Sequence, residues 1–414
     1  MSSSASSSAS LADYRAALTA PGAAVPVLAS AVGRFPIAML PLATLLYVQR
    51  ATGSFAAAGV VSAGQMIGVA AGSVAQGRVI DRMGPSRPLL VIVAMFAAAI
   101  TALVAAVETG QPIPVVVAVA TVAGVVRPAL EGASRSLWAV LVPPGPARSA
   151  ALTYEAISLE VFFILGPAIA AFLVAAPWPG LGLAVAGTGM VIGAAGFALS
   201  PPARRVGGSP AREGVPLLGA LARPGMRTVA VASLGFGLVI GSVEVGLPAV
   251  TAAAGSPTLG GVLLSAWSIS SVLAGVLYGM RPWPRPLHLR LPALLFGFAV
   301  LVAAMALVGP TGSLTVLVIT MVLSGTLITP QVTGHSLAVD LAAPPGAAAE
   351  AFGWVITAAT LGIAAGQSSA GFVVEAFGPP ASFVSAGTAG VLLAGVLWVR
   401  RATLLPRPAP APVA

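Results

Sequence analysis

The chain contains no cysteine and no lysine; all 20 of its basic side chains are arginine. Without cysteine there are no disulfides, thiolate metal sites or cysteine nucleophiles. Without lysine there is no P-loop to grip a nucleotide phosphate and no Schiff base. That excludes an ATP-driven pump of the P-loop type and a retinal pigment of the usual kind. The chain has only two histidines and neither H-E-x-x-H nor G-x-S-x-G, so it is expected to be no enzyme and to need no metal or cofactor. Charge is scarce too. Only 7% of the 414 residues are charged, against about 25% in a soluble domain, so the chain cannot coat a water-facing surface of its size.

What is present is apolar: 57% of the residues are hydrophobic and the mean hydropathy is +1.00. Runs of about 20 residues, the length that spans a bilayer as a helix, recur throughout. They lack the short alternation of an outer-membrane barrel. The expectation is a multi-pass integral membrane protein in contact with the lipid bilayer. Its 48 glycines and 36 prolines are tolerated in membrane bundles. The net charge of +9 could suggest nucleic acid, but the arginines fall between or after the apolar runs at alternate connections. They are therefore read as topology, with no nucleic-acid partner. The Arg, Ala, Gly and Pro bias fits a GC-rich bacterial genome.

Six apolar segments run over 24–48, 54–76, 89–107, 113–141, 150–176 and 180–199, and six more over 226–253, 257–280, 290–308, 313–340, 350–376 and 381–399. The expected organisation is a disordered tail at 1–22, a first bundle at 23–200, a linker at 201–224, a second bundle at 225–400 and a tail at 401–414. Arg78, Arg82, Arg87, Arg148, the linker arginines, Arg281–Arg290 and the C-terminal arginines fall on one side, and only Arg50, Glu108 and Glu375 on the other. Because arginine in short loops resists translocation, both termini are expected in the cytoplasm, with the chain in the bacterial inner (plasma) membrane.

The densest charge lies in Gly77–Leu90, GRVIDRMGPSRPLL. Gly77 leaves room where helices converge, Gly84 permits a tight turn, and Asp81 can answer a helix N-terminus or a neighbouring arginine. The spacing of Gly77, Asp81, Arg82, Gly84 and Arg87 resembles the loop between helices 2 and 3 of the major facilitator superfamily of transporters. The chain also repeats itself. A shift of 202 residues lays Gly33 on Gly235, Gly59-Val60 on Gly261-Val262, Gly77 on Gly279 and Pro128 on Pro330, and a shift of 200 lays Gly166 on Gly366. Two parallel six-helix halves are the architecture of that superfamily. The resemblance thus implies an all-α membrane protein of twelve transmembrane helices in two pseudo-symmetric bundles. RPALEG at Arg127–Gly132 resembles the superfamily's basic motif in helix 4, linked to proton transfer. Gly166-Pro167 resembles the helix-5 motif of bacterial, actinobacterial-type drug/proton antiporters, or else is a simple helix kink.

Charges inside spanning segments cost at least about 2.5–3.5 kcal/mol near the bilayer centre and are functional candidates by default. Arg34, Arg127, Glu131, Glu155 and Glu160 are the proton-coupling candidates, with Glu160 central and Arg127 or Arg34 as its partner. Arg127, Glu131 and Arg135 recur every four residues, as on one helical face. Glu155 reads as lying nearer the cytoplasmic end. Gly77, Asp81, Arg82, Gly84 and Arg87 form the expected gate; the resemblance implies that Asp81 meets the start of helix 11, where Glu350 lies. Gln65, Glu244, Trp267, Gln331, His335 and Trp354 are the substrate-binding candidates. Gln65 and Trp267 occupy equivalent repeat positions, expected to face each other across the pseudo-two-fold. The expected work is proton-coupled efflux of a small apolar or amphipathic compound by a monomer, with protons and the small-molecule substrate as its partners. The alternatives are a proton-coupled importer of a nutrient or organic anion, which would use Arg34 and Arg127 as the anion site, and a non-transporting receptor of the same fold.

Overall fold

In a bilayer every backbone polar group must find its partner inside the protein, and all regular structure among the described residues is helical. The computed structural model describes residues 10–207, 219–279, 285–343 and 348–405. Most of the expected linker, the Trp283–Pro284 turn, the tail residues 1–9 and 406–414, and the side chains of Asp81 and Glu350 lie outside the described residues. Eleven helical segments are long and apolar enough to cross a membrane. The thirty-residue helix Ala348–Phe377 stands at the eleventh expected position.

By its internal contacts the chain divides into two units, one built from residues 1–53 and 64–212 and the other from 54–63 and 213–414. The first unit holds α1 (Leu11–Leu18), α2 (Ala24–Arg34), α3 (Pro36–Thr52), most of α4 (Phe55–Met83), α5 (Ser86–Glu108), α6 (Ile113–Val125), α7 (Leu130–Leu141), α8 (Pro146–Val174), α9 (Leu181–Leu199) and α10 (Pro201–Arg205). The second holds α11 (Pro224–Ala253), α12 (Leu259–Gly279), α13 (Leu287–Ala304), α14 (Val308–Thr311), α15 (Leu314–Gly325), α16 (Ile328–Ala342), α17 (Ala348–Phe377) and α18 (Pro379–Arg400). The segment 54–63 groups with the second unit, where Glu375 accepts hydrogen bonds from Ser54 Oγ and from Ala56 N at 3.0 Å.

Each unit is held by small residues that let backbones approach. A Cβ built on Gly237 or Gly241 of α11, or on Gly362 or Gly366 of α17, would lie 2.0–2.2 Å from a carbonyl oxygen of the facing helix. These four glycines form two i, i+4 pairs, so one helix seats against the other along more than a turn. The repeat read from the sequence reappears in the packing of each unit taken separately. Gly33 of α2 abuts Gly193 and Ala194 of α9, as Gly235 of α11 abuts Leu393 of α18. Gly124 of α6 abuts the carbonyl of Gln65 in α4, as Gly325 of α15 abuts that of Trp267 in α12.

Five expectations change. The tail at 1–22 contains a helix: Ser10 and Asp13 form a reciprocal capping box at the start of α1, and Ala17 and Ala23 join Trp138, Val142 and Ala151 in a buried cluster. The stretch Gly77–Leu90 is mostly helix, because α4 continues to Met83 and α5 starts at Ser86, leaving the turn at Gly84–Pro85. The segment at 113–141 is broken at Val126–Ala129. Pro128 has no N–H and its ring clashes with the carbonyl four residues back, so the helix stops and restarts. The segment at 313–340 breaks at the matching place, Thr326–Leu327, just ahead of Pro330. At the far end Leu404 is buried, so the ordered chain continues past Arg400 rather than ending in a tail at 401.

Candidate functional site

The first unit encloses an ion pair. Arg34 is the last residue of α2, ten residues from its start, and Glu155 is nine residues into α8. At 1.5 Å per residue each lies roughly 14–15 Å along its helix, about a third of the way through a spanning segment of 29 residues. The pair leaves only 3% of Arg34 and 2% of Glu155 exposed. Arg34 Nη1 donates to Glu155 Oε2, and Nη2 donates to the backbone carbonyl of Glu155 at 3.0 Å. The other carboxylate oxygen, Oε1, accepts from Ser134 Oγ at 2.7 Å and from Trp138 Nε1 at 2.9 Å. Ser30 Oγ donates to Ser134 Oγ at 3.0 Å. The guanidinium carbon lies 5.9 Å from the centre of the Phe162 ring.

Local sequence explains how these groups meet. Ser30 and Arg34 are four residues apart in α2, and Ser134 and Trp138 four apart in α7, so each pair shares a helix face. α2 ends at Arg34 because Pro36 opens α3. Arg34 Nε is buried and has no partner. A proton arriving on Glu155 would cancel the charge that holds Arg34 and leave the guanidinium to seek another acceptor. Removing one partner of such a buried pair costs about 3–5 kcal/mol.

This arrangement corrects several expectations. Arg34 pairs with Glu155, not Glu160. Five residues turn the helix by about 140° beyond a full circle, and Glu160 is exposed with no charged partner among the described residues. Glu155 is not a snorkelling end residue. Arg127, Glu131 and Arg135 do not climb one face, because Arg127 sits in the break between α6 and α7. Arg127 and Glu131 are half-buried, and neither has a charged partner among the described residues. A Cβ on Gly77 would meet nothing within 4 Å, so that glycine makes no close approach. Gly84 does: its φ is +77° and a Cβ would lie 2.3 Å from the Val206 carbonyl. Arg82 and Arg87 are exposed. Gly166 seats α8 against Ala38 of α3, and Pro167 lies inside a helix that stays continuous.

Sequence reasoning missed Gln76 as well as Ser30, Ser134 and Trp138. Gln76 Nε2 donates to the carbonyls of Val125 and Arg127 at 2.8 Å each, and its Oε1 accepts from Ala129 N at 2.9 Å. One α4 side chain thus satisfies backbone groups that the broken helix leaves open.

The second unit holds the remaining candidates. Gln331 Nε2 and His335 Nε2 are 3.2 Å apart, both buried, and the imidazole meets Phe236 edge-on. Trp267 stacks on Phe298 and donates to Ser324 Oγ at 3.0 Å. Gln65 is buried in the first unit, its carbonyl against Gly124. Trp354 is half-buried on α17. Glu244 of α11 is half-buried and accepts from Gln367 Nε2 at 2.8 Å.

Comparison with known proteins agrees with the fold. No curated protein sequence matches the chain. Among solved structures, the nucleoside transporter NupG is similar with a TM-score of 0.71 and 14% identity, covering 92% of this chain and 98% of that one. A bacterial homologue of the human lysosomal transporter Spinster, inward-facing and unoccupied, gives 0.70 at 13% identity, with 92% and 97% covered. The human organic anion transporter MFSD10 (TETRAN) gives 0.59 at 17% identity, with 91% and 99% covered. These likenesses concern the fold. The sequence model of the Major Facilitator Superfamily matches residues 27–366, most of the length over which the two units are built, and the chain belongs to that superfamily of membrane transporters.

Proposed function

We propose that the chain exports a small apolar or amphipathic compound in exchange for protons, and that the Arg34–Glu155 pair is the coupling element. The observation that carries this reading is that pair, buried about a third of the way along two spanning helices and fully hydrogen-bonded at the carboxylate. A proton on Glu155 changes the charge of the cluster without changing its shape. The driving force has the right size. One pH unit is worth about 1.4 kcal/mol per proton, and 100 mV about 2.3 kcal/mol per charge. Together they approach the cost of parting a buried ion pair.

The breaks at Val126–Ala129 and Thr326–Leu327 support transport, because interrupted helices at matching places in the two repeats point to substrate pathways. The antiporter-like Arg127–Gly132 and Gly166–Pro167 support export. An anion importer is less favoured, since Glu155 already neutralises Arg34. The charge distribution supports cytoplasmic termini in a bacterial plasma membrane.

The test has two steps. A growth-inhibition panel comparing cells with and without the protein identifies a compound to which it confers resistance. Purified protein in vesicles with an imposed pH gradient then reports uphill movement of that compound. Export without any dependence on the proton gradient overturns the proposal.

A further inference from the structure

The two units treat their membrane carboxylates differently. Glu155 in the first has an arginine. Glu244 in the second is nine residues from the end of α11, and no arginine or histidine pairs with it among the described residues. Its recorded partner is the amide of Gln367, which donates from Nε2 at 2.8 Å. Gln367 is 1% exposed. Its Oε1, bonded to the same amide carbon as the nitrogen that holds Glu244, is buried without a hydrogen-bond partner. A spanning carboxylate without a counter-charge is costly, and an unsatisfied buried acceptor adds to that cost. The carboxylate lacks a counter-charge and the amide oxygen lacks a donor, and a positively charged group that carries N–H donors would answer both. Gln367, on α17 where glycines bring that helix against α11, holds the carboxylate through Oε2.

We infer that Glu244 recognises a protonated amine, with Gln367 as its positioning residue, so that the compounds this protein moves include amphipathic ammonium cations. This rests on the transporter reading above and names its substrate class. A hydrogen bond to a charged group contributes about 1.5–3 kcal/mol, so removing it lowers affinity about tenfold or more.

The experiment uses the full chain in nanodiscs and two fluorescent probes that differ in one group: monodansylcadaverine, a primary ammonium, and its N-acetyl derivative, which is neutral. Wild type is expected to bind the amine at least about tenfold more tightly than the amide. Glu244→Gln should abolish that preference by weakening the amine alone. Glu244→Asp should keep part of it, and Gln367→Ala should reduce it. Thermal unfolding in the same nanodiscs checks that the variants are folded. Equal binding of the two probes by wild type overturns the inference, as does an amine preference that survives in folded Glu244→Gln. If Glu244→Gln keeps the preference but loses proton-driven transport, Glu244 carries protons, not substrate, and the inference again fails. None of these outcomes depends on Glu155, whose substitution tests the coupling proposal separately.

Discussion

Glu155 accepts from Arg34, Ser134 and Trp138 at once, which makes the cluster sensitive to single changes. Arg34→Ala strands the carboxylate and should lower stability by about 3–5 kcal/mol. Removing both charges with Arg34→Met and Glu155→Leu should restore most of that loss, since an apolar pair of similar volume replaces an ion pair at little cost. Thermal unfolding of the purified variants in one detergent checks both expectations. A double variant no more stable than Arg34→Ala would mean that the pair holds the fold by more than its charge. Trp138→Phe keeps the ring but removes one donor to Oε1, so it should cost only about 1.5–3 kcal/mol. At this scale the sequence was partly legible. Arg34 and Glu155 stand out as charges in apolar runs, but 121 positions separate them, and nothing in the chain fixes the rotation of α2 against α8. That rotation chooses Glu155 over Glu160.

The break between α6 and α7 survives in the membrane because Gln76 satisfies the backbone around it. Gln76→Leu keeps the volume and leaves two carbonyls and one N–H unpaired, at roughly 1–3 kcal/mol each. The expected outcome is a clear drop in melting temperature, with faster amide exchange confined to Val125–Leu130. Uniform exchange across the first unit would contradict the assignment. The α11–α17 contact should be equally intolerant. Gly241→Leu has no space against the Ile363 carbonyl, so α11 must move and folded yield should fall, whereas Gly395→Leu, with nothing near it, should behave as wild type. Outside the membrane, hydrogen bonds from the Ser10 side chain and backbone hold the Asp13 carboxyl below its usual pKa. The α1 cap is therefore complete near neutral pH and is lost as the pH falls through that lowered value. Pro128 announced the broken helix, since a proline cannot continue one. The four-residue spacing of Arg127, Glu131 and Arg135 imitated a continuous face and hid the break. Ser10 and Asp13 announced α1, but a Ser- and Ala-rich start resembles a solvated tail.

The whole molecule was the most legible level, because length and hydropathy decide how many times a chain crosses a bilayer and the repeat of 202 residues gives its two halves. The division into a unit with a neutralised carboxylate and a unit with an unneutralised one was also foreshadowed, since under that shift Arg34 falls on Phe236. A chain with no lysine for a P-loop should run on an ion gradient, so a protonophore should collapse uphill export in cells whose ATP is held constant. The measurement that tests the central claim most directly is pH-driven accumulation of an exported compound in reconstituted vesicles, comparing wild type with Glu155→Gln. Wild type should concentrate the compound in proportion to the imposed pH difference, while folded Glu155→Gln should exchange it across the membrane without concentrating it. Accumulation by Glu155→Gln with an unchanged dependence on the pH gradient would contradict the account.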